Sequence, residues 1–335
     1  MSVDVDSLLD RRQLRRKVTF WRIAAFLILA IALISLIAYV SGAADASKKG
    51  SHIARIEIDG VITDDYELLQ RIERIREHDP VKGVIVAINS PGGSTTGGEA
   101  IYSALRKLAE DKPVVSEIRT EGASAGYMIA MAGDHTIARY NSITGSIGVL
   151  FQYGNFKGLL DTIGVNMDAV KSSDLKAEPD FYSEASPEAK AMLAKVVKDS
   201  YDWFVDLVAE RRNMDRNAAL KLADGSIYSG YTAHKLGLID AIGGEEVAIQ
   251  WLESEKDLSK DLPVITWRPE QTENGLPFVG AISRSFGIGV AEGLVGEAKS
   301  AKGLIPRGLT LDGLVSVWQA PDSAANKAAV PGGTQ

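Results

Sequence analysis

The chain has 335 residues, 24% charged and 45% hydrophobic, enough for one large folded domain or two modest ones, and this composition excludes wholesale disorder. With 37 basic and 44 acidic residues the formal net charge is -7, so nucleic acid has no general electrostatic reason to bind. Cysteine is absent, which removes disulfides, thiolate metal sites and cysteine nucleophiles, and four histidines (His52, His78, His135 and His234) leave little imidazole chemistry.

The first 50 residues hold eight Lys/Arg against four Asp/Glu and so carry the opposite charge to the rest. A basic leader (1–22) precedes Ile23 to Val40, an apolar run broken only by Ser35 and long enough to cross a hydrocarbon core. Arg11, Arg12, Arg15, Arg16, Lys17 and Arg22 outnumber the cations behind the run, so the positive-inside rule puts the N-terminus in the cytoplasm and exports the remainder of the chain. The competing reading is a cleaved signal peptide, with small residues Ser41 to Ala44 at the cut.

From Ile53 to about Glu255 short β-rich runs alternate with helical ones. Ile53 to Val61 reads as a strand, and Leu68, Leu69, Ile72 and Ile75 recur at helical spacing. Gly83 to Asn89 is a buried strand, Gly98 to Glu110 a helix, and Pro113 to Ile118 a strand. A helix starts near Ser124, strands are expected at Thr136 to Arg139 and Ser146 to Leu150, and a helix near Phe156 to Ile163. Ser186-Pro187 opens a helix to about Asn213, whose apolar side (Leu193, Val196, Val197, Phe204, Leu207, Val208) reads as core or subunit contact. The pattern is α/β with a parallel sheet and crossover helices. Behind the domain (51–256) lies a C-terminal extension (257–320), a candidate oligomer contact that includes a mildly apolar stretch, Gly275 to Ala298. A polar tail (321–335) reads as disordered.

Two glycine-rich junctions follow strands, where open α/β sheets place ligands. The first, Asn89-Ser90-Pro91-Gly92-Gly93-Ser94, offers backbone amides to a developing anion or is merely a tight turn. It lacks the Gly-Lys-Ser/Thr of a phosphate loop. The second, Glu121 to Tyr127, holds Ser124 among Gly and Ala at a helix start, either as a nucleophile or as a helix cap. Histidine spacing supports no base. A lysine can serve if burial lowers its pKa from about 10.4 to about 7 or 8, a cost of about 3 to 4 kcal/mol, but composition does not select which lysine.

These segments together resemble the signal peptide peptidase A family of the half-length bacterial type, peptidase family S49, with a ClpP/crotonase-like fold. The matching text is Asn89 to Gly93, Gly122 to Tyr127 (GASAGY), Thr144 to Val149 (TGSIGV), Val170 to Lys176, Asp224-Gly225 and Gly237 to Asp240. The resemblance covers about residues 51 to 252 and the N-terminal anchor. It implies Ser124 as nucleophile, Lys176 as general base, Ser146 as the hydroxyl that orients the lysine, and Gly93 and Ala125 as oxyanion donors. It also implies a membrane-anchored serine endopeptidase without cofactor or metal, acting outside the cytoplasmic face of a bacterial inner membrane on signal peptide remnants and other short apolar peptides. A homo-oligomeric ring is expected, of eight copies in the known kind. Ala125 departs from the family's commoner glycine, and Met128 from a frequent aromatic. Asp174, Glu178 and Asp180 lie near Lys176 in sequence and must point away for it to lose its proton. Three alternatives stay open: a protease of the same dyad that cleaves a stomatin-class membrane partner, a crotonase-like acyl-CoA enzyme, and a non-catalytic membrane scaffold.

Overall fold

The computed structural model describes residues 19–35, 48–269 and 315–317. Residues 19–35 are helical and belong to a unit of their own, Met1–His52. Among the described residues no helix is long and apolar enough to cross a membrane. The expected span Ile23 to Val40 runs past residue 35 into positions outside the described residues, where Gly275 to Ala298 and the tail 321–335 also lie.

The second unit, Ile53–Gln335, is built on an eight-stranded sheet with a second, two-stranded sheet formed by its third and last strands. In chain order the elements are β1 (His52–Asp59), α1 (Tyr66–Glu77), β2 (Val81–Ser90), β3 (Gly92–Ser94), α2 (Thr95–Asp111), β4 (Val114–Ala123), α3 (Ala125–Ala130), β5 (His135–Ala138) and β6 (Ile143–Gly145). Next come α4 (Lys157–Thr162), α5 (Pro187–Arg211), α6 (Arg216–Leu222), β7 (Ile227–Ser229), α7 (Gly230–Lys235), β8 (Ala241–Ile242), α8 (Glu245–Glu255), β9 (Val264–Thr266) and β10 (Val315–Val317). The strand order is β7-β6-β4-β2-β1-β9, with β5 pairing β4 and β8 pairing β5. Within this sheet pairing is parallel except at β6–β7, which is antiparallel, and the separate β3–β10 pair is antiparallel too.

Side-chain alternation explains why the sheet is covered on both faces. Ala54, Ile56 and Ile58 of β1, Val84, Val86 and Ile88 of β2, and Val114 and Ile118 of β4 join one buried cluster with α1, α2, α3 and α5. Their neighbours Ile53, Ile85 and Val115 turn to the other face and meet Ala248 and Leu252 of α8. Helix starts follow local chemistry. Asp65 accepts from Leu68 N at 3.0 Å, Ser94 from Gly97 N at 3.2 Å, and Ser186 from Ala189 N at 3.0 Å, with Pro187 in the first turn of α5. In α5 it is the C-terminal half that buries Phe204, Leu207 and Val208, whereas Val196 is exposed.

Two sequence expectations shift. The strand expected at Ser146 to Leu150 lies earlier, at β6, because Ser146 itself turns to φ 49° and ends it. The strand expected to stop at Ile118 continues to Ala123, since Glu121 to Ala123 pair with β6. His52 is buried, with Nδ1 2.8 Å from the Gly50 carbonyl.

A polar clamp joins β5, α5 and the turn before β8. Asp240 accepts from Arg212 at 2.6 Å and from Thr136 N at 2.7 Å, and Arg212 also donates to the Gly237 carbonyl at 2.7 Å. Next to it the buried Tyr127 hydroxyl donates to the Leu238 carbonyl at 2.7 Å. The segment Gly237 to Asp240 is therefore a structural latch. Burial pushes the Asp240 carboxyl up, but the Arg212 bond and charge outweigh it and hold it below the ordinary range. A carboxyl depressed in the folded state stabilises above its unfolded pKa and loses that contribution as pH falls through the folded value. Asp240→Ala should cost about 2 kcal/mol in denaturant unfolding near neutral pH, with the gap to the parent narrowing below about pH 4. A gap that stays constant into acid would contradict this electrostatic account.

Candidate active site

The site forms where β2, β4 and β6 end. After β2 the chain turns through Pro91 into β3, and Ser90 Oγ accepts from Gly92 N at 3.1 Å. Ile62 N donates to the Gly92 carbonyl and Ser94 N to the Ile62 carbonyl, both at 2.9 Å, so the Ile62 backbone lies flat on Gly93. A Cβ at Gly93 would sit 1.9 Å from the Ile62 oxygen, which makes glycine a steric requirement there. On β3 lies β10, antiparallel, with Ser316 opposite Gly93.

Ser124 joins β4 to α3 with φ 58° and ψ -119°, and its hydroxyl makes no cap bond to the helix. The helix-cap reading therefore fails. A serine at positive φ is strained and persists only where its surroundings hold it. Here Ser124 N donates to the Gly145 carbonyl at 2.8 Å and its own carbonyl accepts from Met128 N at 2.9 Å. Thr144 Oγ1 donates to the Gly122 carbonyl at 2.8 Å, fixing the strand end before it. Gly126 lets α3 approach β2, since a Cβ there would come within 2.8 Å of the Ser90 carbonyl oxygen.

Ser146 directly follows the carbonyl that holds Ser124. It too has positive φ, and its N–H donates to the Ser226 carbonyl at 2.7 Å. Ser226 N in turn donates to Asp224 Oδ1 at 2.9 Å, which gives the Asp224-Gly225 segment its task. The structure thus brings Ser124, Ser146, Gly93 and Ala125 to one end of the sheet, and both serines are buried. Glu121, on the same stretch of β4, has its carboxyl pushed up by burial.

Lys176 is not among them. It stands exposed in the loop after Ser173, its N–H donating to the Ser173 carbonyl at 3.0 Å, and its side chain makes no hydrogen bond or ion pair among the described residues. Of the carboxylates that had to point away, Glu178 and Asp180 are taken by Lys171, and Asp174 is exposed. Sequence reasoning did not find the role of Lys171, although opposite charges at 171, 178 and 180 were a signal. Among the described residues no group of three His, Asp or Glu is arranged to hold a metal ion.

A hydroxyl on a strained strand-to-helix turn, beside a glycine turn, is the arrangement of an acyl-transfer hydrolase. Comparison with known proteins agrees: the model of "Peptidase family S49" matches residues 106–259, and that of "Clp protease" matches residues 54–149. The chain is 33% identical over 228 residues to "Putative protease MJ0651" of Methanocaldococcus jannaschii, covering 68% of this chain and 73% of that one. It is 36% identical over 234 residues to "Putative signal peptide peptidase SppA" of Enterococcus faecium, covering 66% and 68%. With "Protease 4" of Haemophilus influenzae it shares 29% over 254 residues, 72% of this chain and 41% of that one. The chain belongs to peptidase family S49, and protease activity comes with that membership.

The Gly93 contact gives a direct test. Gly93→Ala must displace the Ile62 carbonyl and should lower unfolding free energy by at least about 2 kcal/mol. Gly158→Ala, whose Cβ would meet nothing within 4 Å, should stay within about 1 kcal/mol of the parent. Equal losses in the two variants would remove the steric explanation.

Proposed function

We propose that the chain is a membrane-anchored serine endopeptidase in which Ser124 and Lys176 form the catalytic dyad. The observation that carries this reading is Ser124 itself, held at φ 58° with a hydroxyl that does not cap its helix, next to Ser146 and the Gly93 turn. Neutral Lys176 accepts the Ser124 proton as Oγ attacks the peptide carbonyl, and the Gly93 and Ala125 amides hold the resulting oxyanion. Collapse expels the amine with the proton returned by Lys176. Water, deprotonated by Lys176, then attacks the acyl-enzyme carbonyl, and Lys176 returns that proton to Ser124 Oγ as the ester bond breaks and the acid leaves. Ser146 orients the amine.

Lys176 reaches Ser124 from a neighbouring copy. Two features support this: Lys176 is exposed while Ser124 is buried, and the segment carrying the lysine leaves Phe156, Leu159, Ile163, Met167, Val170 and Phe181 exposed. So much apolar surface on one stretch suits a subunit contact, in a closed homo-oligomeric ring such as an octamer. Substrates are signal peptide remnants and other short hydrophobic peptides, taken as an added strand on the β3 edge, outside the cytoplasmic face of the membrane. The chain's own β10 on that edge supports the mode of binding.

Ser124→Ala and Lys176→Ala should each abolish hydrolysis of a hydrophobic fluorogenic peptide. When the two inactive variants are unfolded, mixed and reassembled, about a quarter of parental activity should return, because some contacts then hold an intact serine and an intact lysine. Activity in either variant alone would remove the dyad. Failure of the mixture to recover, with parental protein reassembling normally, would place both residues on one chain.

A further inference from the structure

We propose that Lys171 is a positioning residue for Lys176: it takes up Glu178 and Asp180 so that neither carboxylate pairs with the Lys176 amine. The inference rests on the reading of Lys176 as the base. Lys171 Nζ lies 2.7 Å from Glu178 Oε1 and 3.4 Å from Asp180 Oδ2. Asp180 is further held by the Tyr182 and Ser183 N–H groups, at 3.0 and 2.6 Å. The Lys171–Glu178 contact spans seven residues and closes the loop on which Lys176 stands. Inside that loop Lys176 N donates to the Ser173 carbonyl, Glu178 N donates to the Leu175 carbonyl, and Ala177 sits at φ 62°. The loop is therefore tied at both ends of the base.

The electrostatic argument starts from Glu178. Its Oε2 is buried without a hydrogen-bond partner, so it retains capacity to accept from a second ammonium. Two residues away, Lys176 is the nearest such group in sequence. A carboxylate within about 4–6 Å favours the charged form of a lysine, and a charged lysine cannot act as base. Lys171 opposes this by neutralising both carboxylates. Other charged groups around the loop are already settled. Lys157 and Asp161 of α4 pair with each other at 2.6 Å, and with Asp168 and Tyr182 they line a cavity of about 380 Å³ beside the Lys171 cluster. Asp174 on the loop is exposed to water. At the receiving end, Glu121 near Ser124 is pushed by burial toward its neutral form.

The test is the pH dependence of kcat/KM for peptide hydrolysis by the full chain, whose acid limb reports deprotonation of the base. Lys171→Met should move that limb up by about one pH unit, whereas Lys171→Arg should leave it within about 0.3 units of the parent. Adding Glu178→Gln to Lys171→Met should recover at least about half of the shift, because the freed carboxylate is gone. Glu178→Gln alone removes a carboxylate and keeps Lys171, so its limb should move toward acid; this variant decides the matter if Lys171→Met does not fold. A loop staple without electrostatic effect would lower the rate in both single variants and leave the limb where it was, and that result overturns the proposal. Lys176→Ala separates the two levels. Retained activity there would sink the dyad, whereas an inactive Lys176→Ala with an unmoved Lys171→Met limb would sink only the role of Lys171.

Discussion

The hydrogen bond from Ser124 N to the Gly145 carbonyl, at 2.8 Å, is the contact on which the site depends. It continues the parallel ladder between β4 and β6 by one step past Ala123 and Gly145, at a point where Ser124 has already left strand geometry. The ladder thus holds a serine in a conformation that its side chain disfavours. Because Ser146 follows Gly145 directly, the same bond sets the second serine beside the first. The Asp224–Ser226 turn, the Gly122–Thr144 bond and the Gly93–Ile62 contact are all supports for that one junction.

Rigidity is unevenly distributed around the proposed dyad. The serine side rests on a sheet buried on both faces, with Tyr127 and the Asp240–Arg212 clamp fixing the helix behind it. The lysine side stands on an exposed loop tied by an ion cluster and by turns of its own. In the proposed dyad the nucleophile would be pre-shaped, whereas the base would have its loop set but its partner still to meet. On the proposed reading, activity would be gained on assembly, because an isolated chain would hold a poised hydroxyl without its proton acceptor.

Much of the fold was legible in the sequence because its strands and helices follow strict periods. The runs at Gly83 to Asn89 and Leu68 to Ile75, and the Ser186-Pro187 start, fall where the pattern puts them. Boundaries slipped where tertiary pairing overrides local preference, as at Ala123 and Ser146. The Gly93 turn was visible as a motif, but its cause, the Ile62 backbone pressed against it, comes from a segment 31 residues away in the chain. Positive φ at Ser124 and Ser146 could not be read at all, since neither is glycine. The carboxylates near Lys176 were visible as a problem, and only the folded loop shows Lys171 meeting two of them.

If the strained turn makes Ser124 the reactive hydroxyl, treating the full chain with a serine-reactive fluorophosphonate and mapping the adduct by peptide mass spectrometry should give one covalent adduct per chain, on the peptide containing Ser124. The adduct should be lost when the protein is unfolded before treatment. An adduct on another serine, or equal labelling of folded and unfolded chains, would rule that reactivity out.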